Sequence, residues 1–264
     1  MTIHMSVLAS GSSGNSLYIE HEGQGFLIDC GLSGRKMVEL LGEIGKKPED
    51  VQAVLVTHEH SDHVRGLGVF ARRFHTPVYA NAATWKAMAA TVGELPAEQK
   101  FEFQANTLKD FGALSVESFS VSHDAADPMF FVVHDGSKKI ALLTDLGYVS
   151  THIKGMIADA NVYIMEANHD TEMLMMGRYP WSVKQRILSD TGHISNEESG
   201  EALTAVIGTH TQRIYLAHLS RDNNMKELAR LSVGQKLEAA GVRLERDLKL
   251  LDTDPARATP LVAI

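Results

Sequence analysis

Val51-Gln-Ala-Val-Leu-Val-Thr57 is an apolar run short enough to be a buried strand, and it leads directly into His58-Glu59-His60-Ser61-Asp62-His63. Four potential metal ligands, three imidazoles and a carboxylate, therefore fall within six residues. His58 and His60 are neighbours-but-one in an extended loop, whereas Asp62 and His63 stand at the start of the next helix. The two pairs can face two different metal positions. A solvated polar turn would have no need of three imidazoles beside an aspartate.

Working outward, Ser6 to Glu20 reads as strand, Gly/Ser turn and strand, and Gly25-Phe-Leu-Ile-Asp29 as a third strand, which makes a β-meander. The turn Gly11 to Ser16 lacks the Lys and the strand-to-helix context of a phosphate loop, so it reads as a tight turn near the site. Arg35 to Ile44 carries Met37, Val38, Leu40, Leu41 and Ile44 at helical spacing. Further helices are expected at Val64 to Phe74, Ala82 to Val92, Thr151 to Asp159, Asn196 to Thr209 and Asn224 to Ala240. Strands are expected at Val78-Tyr79, Leu114 to Ser122, Phe130 to His134, Ile140 to Thr144, Val162 to Met165, Ile214 to Ala217 and Val242-Arg243. A meander followed by strand-helix alternation, twice over, predicts two sheets with helices outside. Asp29, His123, Asp145 and His218 each sit where an apolar strand ends, the edge of an open α/β sheet at which ligands bind. Taken singly, His123 and His218 could equally serve the core or the surface.

The 264 residues, 44% hydrophobic and without a low-complexity tract, can bury one sizeable α/β core, and no apolar stretch approaches a bilayer span. The start lacks a signal-peptide pattern, and Cys30 as the single cysteine excludes an internal disulfide, which predicts a cytoplasmic protein with no membrane partner. A formal charge of −8 argues against a basic surface that coats nucleic acid. It leaves a nucleic-acid substrate open, because bound cations set the local field of a site.

At this point the chain resembles a known family. His58-Glu-His60-Ser-Asp62-His63 matches the His-x-His-x-Asp-His signature of metallo-β-lactamase-fold hydrolases, and Asp29, His123, Asp145 and His218 follow the order of the remaining motifs, from residue 6 to about 224. The resemblance implies an αββα sandwich, a single domain over residues 1–264 built of two similar halves, with its site at the open edge between the sheets. It also implies that one metal takes His58, His60 and His123, that a second takes Asp62, His63 and His218, and that Asp145 bridges both. Asp29 would orient a ligand histidine. An Asp at 145 in place of Cys describes a pair of divalent ions, Zn²⁺ or Mn²⁺.

Met165-Glu166-Ala-Asn168, Gly192-His193-Ile-Ser195 and Ala217-His218-Leu-Ser220-Arg221 resemble three motifs of ribonuclease Z, in which the Glu and the His form a proton-relay pair. The resemblance thus makes Asp62, Glu166 and His193 the catalytic set. No Gly-rich or basic insertion matches the tRNA-gripping arm of ribonuclease Z, and the stretch from Asp145 to His193 is too short for the extra domain of the β-CASP nucleases. Gly11-Ser-Ser-Gly-Asn15, Ser122-His123-Asp-Ala125, Asn168-His169-Asp170 and Ser220-Arg-Asp-Asn223 look like the compact YycJ/WalJ-like branch, regarded as DNA exonucleases acting from the 5′ end. The implied reaction is phosphodiester hydrolysis by a metal-bridging hydroxide, with a nucleic acid, DNA, as substrate. Candidate substrate contacts are Arg221, Lys184, Arg186 and His169, with Lys184 and Arg186 weighed against a solvated helix face and His169 against an exposed loop. The Met173 to Met176 run reads as core or soft contact surface, Trp181 as a packed aromatic rather than a base-stacking one, and Cys30 as a buried small hydrophobe. Rival readings are a lactone, ester or thioester hydrolase using the same site, and an inactive metal-binding regulatory protein.

Overall fold

The computed structural model describes residues 2–264. In chain order, β1 (Ile3–Ala9), β2 (Ser16–His21) and β3 (Gln24–Ile28) are followed by α1 (Gly34–Glu43), β4 (Val51–Leu55), α2 (Ser61–Val64), α3 (Leu67–Phe74), β5 (Val78–Ala80), α4 (Ala82–Val92) and β6 (Lys100–Glu102). Then come β7 (Leu108–Phe111), β8 (Leu114–Ser120), β9 (Met129–His134), β10 (Lys139–Leu143), α5 (Thr151–Ile157), β11 (Val162–Glu166), α6 (Thr171–Met176) and α7 (Trp181–Ile187). The chain finishes with α8 (Asn196–Val206), β12 (Arg213–Ala217), α9 (Lys226–Ala239), β13 (Lys249–Asp252) and β14 (Val262–Ala263). These elements group into two compact units, one of residues up to Ser120 with Ala125–Met129 and Thr253–Ile264, the other of Val121–Asp124 and Phe130–Asp252.

In the first unit a sheet runs β14-β1-β2-β3-β4-β5-β6. The antiparallel meander β1-β2-β3 gives way to parallel pairing from β3 through β6. Parallel neighbours need crossovers, and α1, α3 and α4 supply them. Their apolar stripes, Met37, Leu40 and Leu41 on α1, Leu67 and Phe70 on α3, and Met88 and Val92 on α4, pack with Leu8, Tyr18, Leu27, Val54 and Val56 of the sheet in one core. Each such side chain, fully buried, contributes roughly 1.5–3 kcal/mol. The β3–β4 register pairs Ile28 with Leu55, so Asp29 and Thr57 leave the sheet at the same edge.

Within the second unit the strands run β13-β12-β11-β10-β9, with β9 antiparallel to β10 and the others parallel. Leu143 pairs with Met165 and Glu166 with Ala217. That register brings the ends of three parallel strands level, which is why Asp145, Glu166 and His218 meet although they are far apart in sequence. Helices α8 and α9 pack together and contact β11 and β13 respectively. No helix of the described residues is long and apolar enough to cross a membrane.

Two expectations need correction. The helix read over Val64 to Phe74 is two helices, α2 and α3, because the Gly66 N–H leaves the helical ladder to bond Cys30 O at 2.9 Å. Val242-Arg243 is not a strand. Arg243 instead closes a turn on Asp247, whose Oδ2 accepts the Arg243 N–H at 3.0 Å, and β13 takes the last parallel position. Helices α6 and α7 were absent from the periodicity reading because each is shorter than two full turns.

Candidate functional site

In the first unit the candidate residues gather around Asp29, which is 3% exposed. Its Oδ1 accepts the Thr57 N–H at 2.9 Å and its Oδ2 accepts the Thr57 hydroxyl at 2.8 Å. Oδ2 also lies 2.8 Å from His63 Nδ1. Burial pushes the Asp29 carboxyl up, against the pull of the His63 imidazole and the Thr57 hydrogen bonds. Since the single Thr57 hydroxyl hydrogen goes to Asp29, its oxygen accepts from His58 Nδ1 at 2.9 Å. The rings of His58 and His63 stand 4.1 Å apart and those of His58 and His60 4.7 Å apart, centre to centre. His58 and His63 are fully buried. Asp62 stands in the first turn of α2, and its carbonyl accepts the Asn15 N–H at 2.8 Å.

The second unit centres on Glu166, the last residue of β11 and fully buried. Its Oε1 accepts from His193 Nδ1 and from His218 Nδ1, each at 2.9 Å. Backbone N–H groups of Asp145, Leu146 and Ile194 also point at the carboxylate, at 3.2, 3.3 and 3.3 Å. Burial opposes its charge, yet the His193 imidazole and the hydrogen bonds from His193 and His218 hold the Glu166 carboxyl down, at about 2. The same partnership raises the His193 pKa above the ordinary imidazole value against the opposing effect of burial. Asp145 Oδ1 lies 3.1 Å from His218 Nδ1, 3.7 Å from His193 Nδ1 and 4.0 Å from His123 Nε2. One donor atom each from Asp145, Glu166, His193 and His218 falls within 4.8 Å of the others. His123 Nδ1 donates to Gly192 O at 3.2 Å, and burial lowers the His123 pKa. The capping box of α8, with Ser195 Oγ accepting from Glu198 N and Glu198 Oε2 from Ser195 N, fixes the segment just after His193.

This donor set suits divalent cations. His58, His63, His123 and His218 each have Nδ1 engaged with an oxygen acceptor, which leaves Nε2 as the nitrogen that could meet a metal and fixes the ring plane. Asp29, Asp145 and His218 adopt left-handed backbone conformations, with φ of 62°, 52° and 52°. Asp and His are among the residues that tolerate this region, at an energy of order 1–3 kcal/mol, about what functional sites commonly store.

Among the other candidates, Arg221 and Arg186 are exposed, and Arg186 Nε is bonded to Asp124, whose other oxygen lies 3.5 Å from His123 Nε2. Lys184 is buried and donates to Met175 O at 2.6 Å, holding α7 against α6. His169 is not in an exposed loop: it is 1% exposed, with burial lowering its pKa, while Asp170 caps α6 by accepting from Met173 N at 2.8 Å. Trp181 is 57% exposed rather than packed, and Met175 and Met176 are surface residues. Cys30 is fully buried, as expected. Reading residue by residue missed Asn15, Thr57 and Asp124. The Gly-Ser-Ser-Gly-Asn turn and the residues flanking each histidine were the available signals.

Two helix-flanked sheets carrying imidazoles and carboxylates at their strand ends define a metal-dependent hydrolase. Residues 9–218 match the metallo-beta-lactamase superfamily, and the chain belongs to that family. It is 53% identical to exodeoxyribonuclease YycJ of Bacillus anthracis, covering 99% of each chain. It is 49% identical to exodeoxyribonuclease WalJ of Streptococcus pneumoniae serotype 2, over 98% of this chain and 97% of the other. The likeness to the YycJ/WalJ-like branch is therefore borne out. Among solved structures, the metallo-β-lactamase fold protein YhfI of Bacillus subtilis superposes with a TM-score of 0.74 at 16% identity, covering 98% of this chain and 99% of that one, a likeness of fold alone.

Proposed function

We propose that the chain is a binuclear metal-dependent DNA exonuclease. The observation that carries this reading is a set of four imidazoles whose Nδ1 atoms are all engaged, in a chain 53% identical along its full length to an exodeoxyribonuclease. His58, His60 and His123 would hold one ion and Asp62, His63 and His218 the other, with Asp145 as a further carboxylate ligand. Family membership over 9–218, which takes in parts of both compact units, supports treating residues 1–264 as one catalytic domain. Zn²⁺ or Mn²⁺ at such sites supplies Lewis acidity toward phosphoryl oxygens and lowers the pKa of water.

The chain's own groups do the rest. Asp29 keeps His63 in one tautomer and, through Thr57, His58 as well. Glu166 does the same for His218. With Nδ1–H held by Glu166, protonated His193 has its Nε2–H left to give to the departing sugar oxygen. The Glu166 carboxylate favours the protonated imidazole, raising the His193 pKa above its ordinary value. Arg186, aimed by Asp124, and Arg221 meet backbone phosphates.

Digestion of 5′- and 3′-labelled single- and double-stranded DNA and RNA by the metal-reconstituted protein tests the reading. Mononucleotides released stepwise from one labelled end of DNA, and lost on chelation, are the expected result. No turnover of any oligonucleotide, beside rapid hydrolysis of a lactone or a glutathione thioester, would overturn it.

A further inference from the structure

The turn between β1 and β2 holds a side chain that the hydrolytic mechanism leaves unused. Asn15 is 6% exposed. Its Oδ1 accepts the Gly11 N–H at 2.8 Å and its Nδ2 donates to Gly11 O at 3.1 Å, so both ends of the amide are pinned to one residue. An Asn amide nitrogen carries two hydrogens. One is taken by Gly11; the other faces Asp62 Oδ2 and His63 Nε2, both 3.1 Å away. The backbone reinforces this arrangement, because Asn15 N–H bonds Asp62 O at 2.8 Å and Asn15 O accepts from Gly31 N–H at 3.0 Å. Asp62 is thus gripped by one residue at its carbonyl and at its carboxylate.

We infer that Asn15 is a positioning residue for the second metal ion, holding the Asp62 carboxylate in place beside His63 Nε2, from which Asp62 Oδ2 stands 3.5 Å. His63 Nδ1 is already committed to Asp29, so its Nε2 presents a lone pair. A lone pair directed to an ion no longer competes for the Asn15 hydrogen, which then belongs to Asp62 Oδ2. The side chain therefore sets the separation of two ligands that adjoin in sequence. Nothing in the His-x-His-x-Asp-His pattern fixes that separation. The inference rests on the ligand assignment proposed above, in which Asp62 and His63 share an ion.

Calorimetric titration of the chelator-treated full chain with Zn²⁺ alone tests it, without reference to nuclease activity. The wild type should take two ions. Asn15→Ala should bind the first with unchanged Kd and the second about 10–100-fold more weakly, the usual effect of removing a group that orients a ligand. Excess Zn²⁺ should restore kcat, with a raised half-saturating metal concentration. If the Ala variant fails to fold, Asn15→Ser carries the same expectation, since its hydroxyl cannot span to Gly11 and Asp62 together. Equal weakening of both ions would make Asn15 merely structural and overturn the inference, as would wild-type Kd values for both. A wild type that binds fewer than two ions would instead overturn the ligand assignment, and this inference with it.

Discussion

Glu166 is the residue on which most of the second unit's chemistry turns, since one carboxylate oxygen receives both His193 and His218. Removing it should disturb proton donation and metal binding together, whereas removing His193 should disturb only the first. His193→Ala is expected to slow oligonucleotide cleavage by about 10²–10⁴-fold. It should spare bis(4-nitrophenyl) phosphate, whose phenolate leaves without a proton, with metal content unchanged by elemental analysis. Equal loss on both substrates, or loss of metal, would remove His193 from the role of acid. Asp62→Ala should abolish activity and leave about one ion per chain; departure of both ions from a folded variant would show that the two sites are not separable. At this scale the sequence was readable where chemistry is dense, in His58 to His63, and at Asp29, Asp145 and His218 because each ends an apolar strand. The sharing of Glu166 between two imidazoles was not readable, because it depends on the level register of β10, β11 and β12. His169 was legible as a candidate, but its burial follows from a parallel bridge to Ser195 that no local pattern announces.

Among the elements, the crossing of the β3–α1 connection with the start of α2 is the most constrained. A Cβ on Gly31 would lie 1.6 Å from Asp62 O, so no side chain fits there while Asp62 keeps its place. Gly31→Ala should destabilise the fold by about 1–3 kcal/mol or more, as overpacking does. It should also weaken the second ion, because Asp62 must move. Urea unfolding and metal titration check this, and a wild-type midpoint with two tight ions would refute it. The strands and longer helices were legible from period and capping chemistry, Ser195 with Glu198 on α8 being an example. The short helices α6 and α7 were not, since Gly177 to Pro180 interrupts the pattern and tertiary contacts such as Lys184 to Met175 O hold them. The break between α2 and α3 arises from a bond to Cys30 O, again a tertiary cause.

For the whole molecule, metal binding and folding should be coupled. An ion that binds the native state alone stabilises it by about 2.7 kcal/mol at a free concentration a hundred times Kd. Chelation should therefore lower Tm in a calorimetric scan and Zn²⁺ should restore it; identical Tm values with and without chelator would mean that the histidine set does not hold metal. The central claim is that His58, His60, Asp62, His63, His123, Asp145 and His218 together hold two ions. An anomalous-scattering map from crystals of the Zn²⁺-loaded full chain tests it most directly. The account predicts two peaks, one against His58, His60 and His123 and one against Asp62, His63 and His218, both within reach of Asp145. A single peak, or peaks removed from His58 and Asp62, would contradict it.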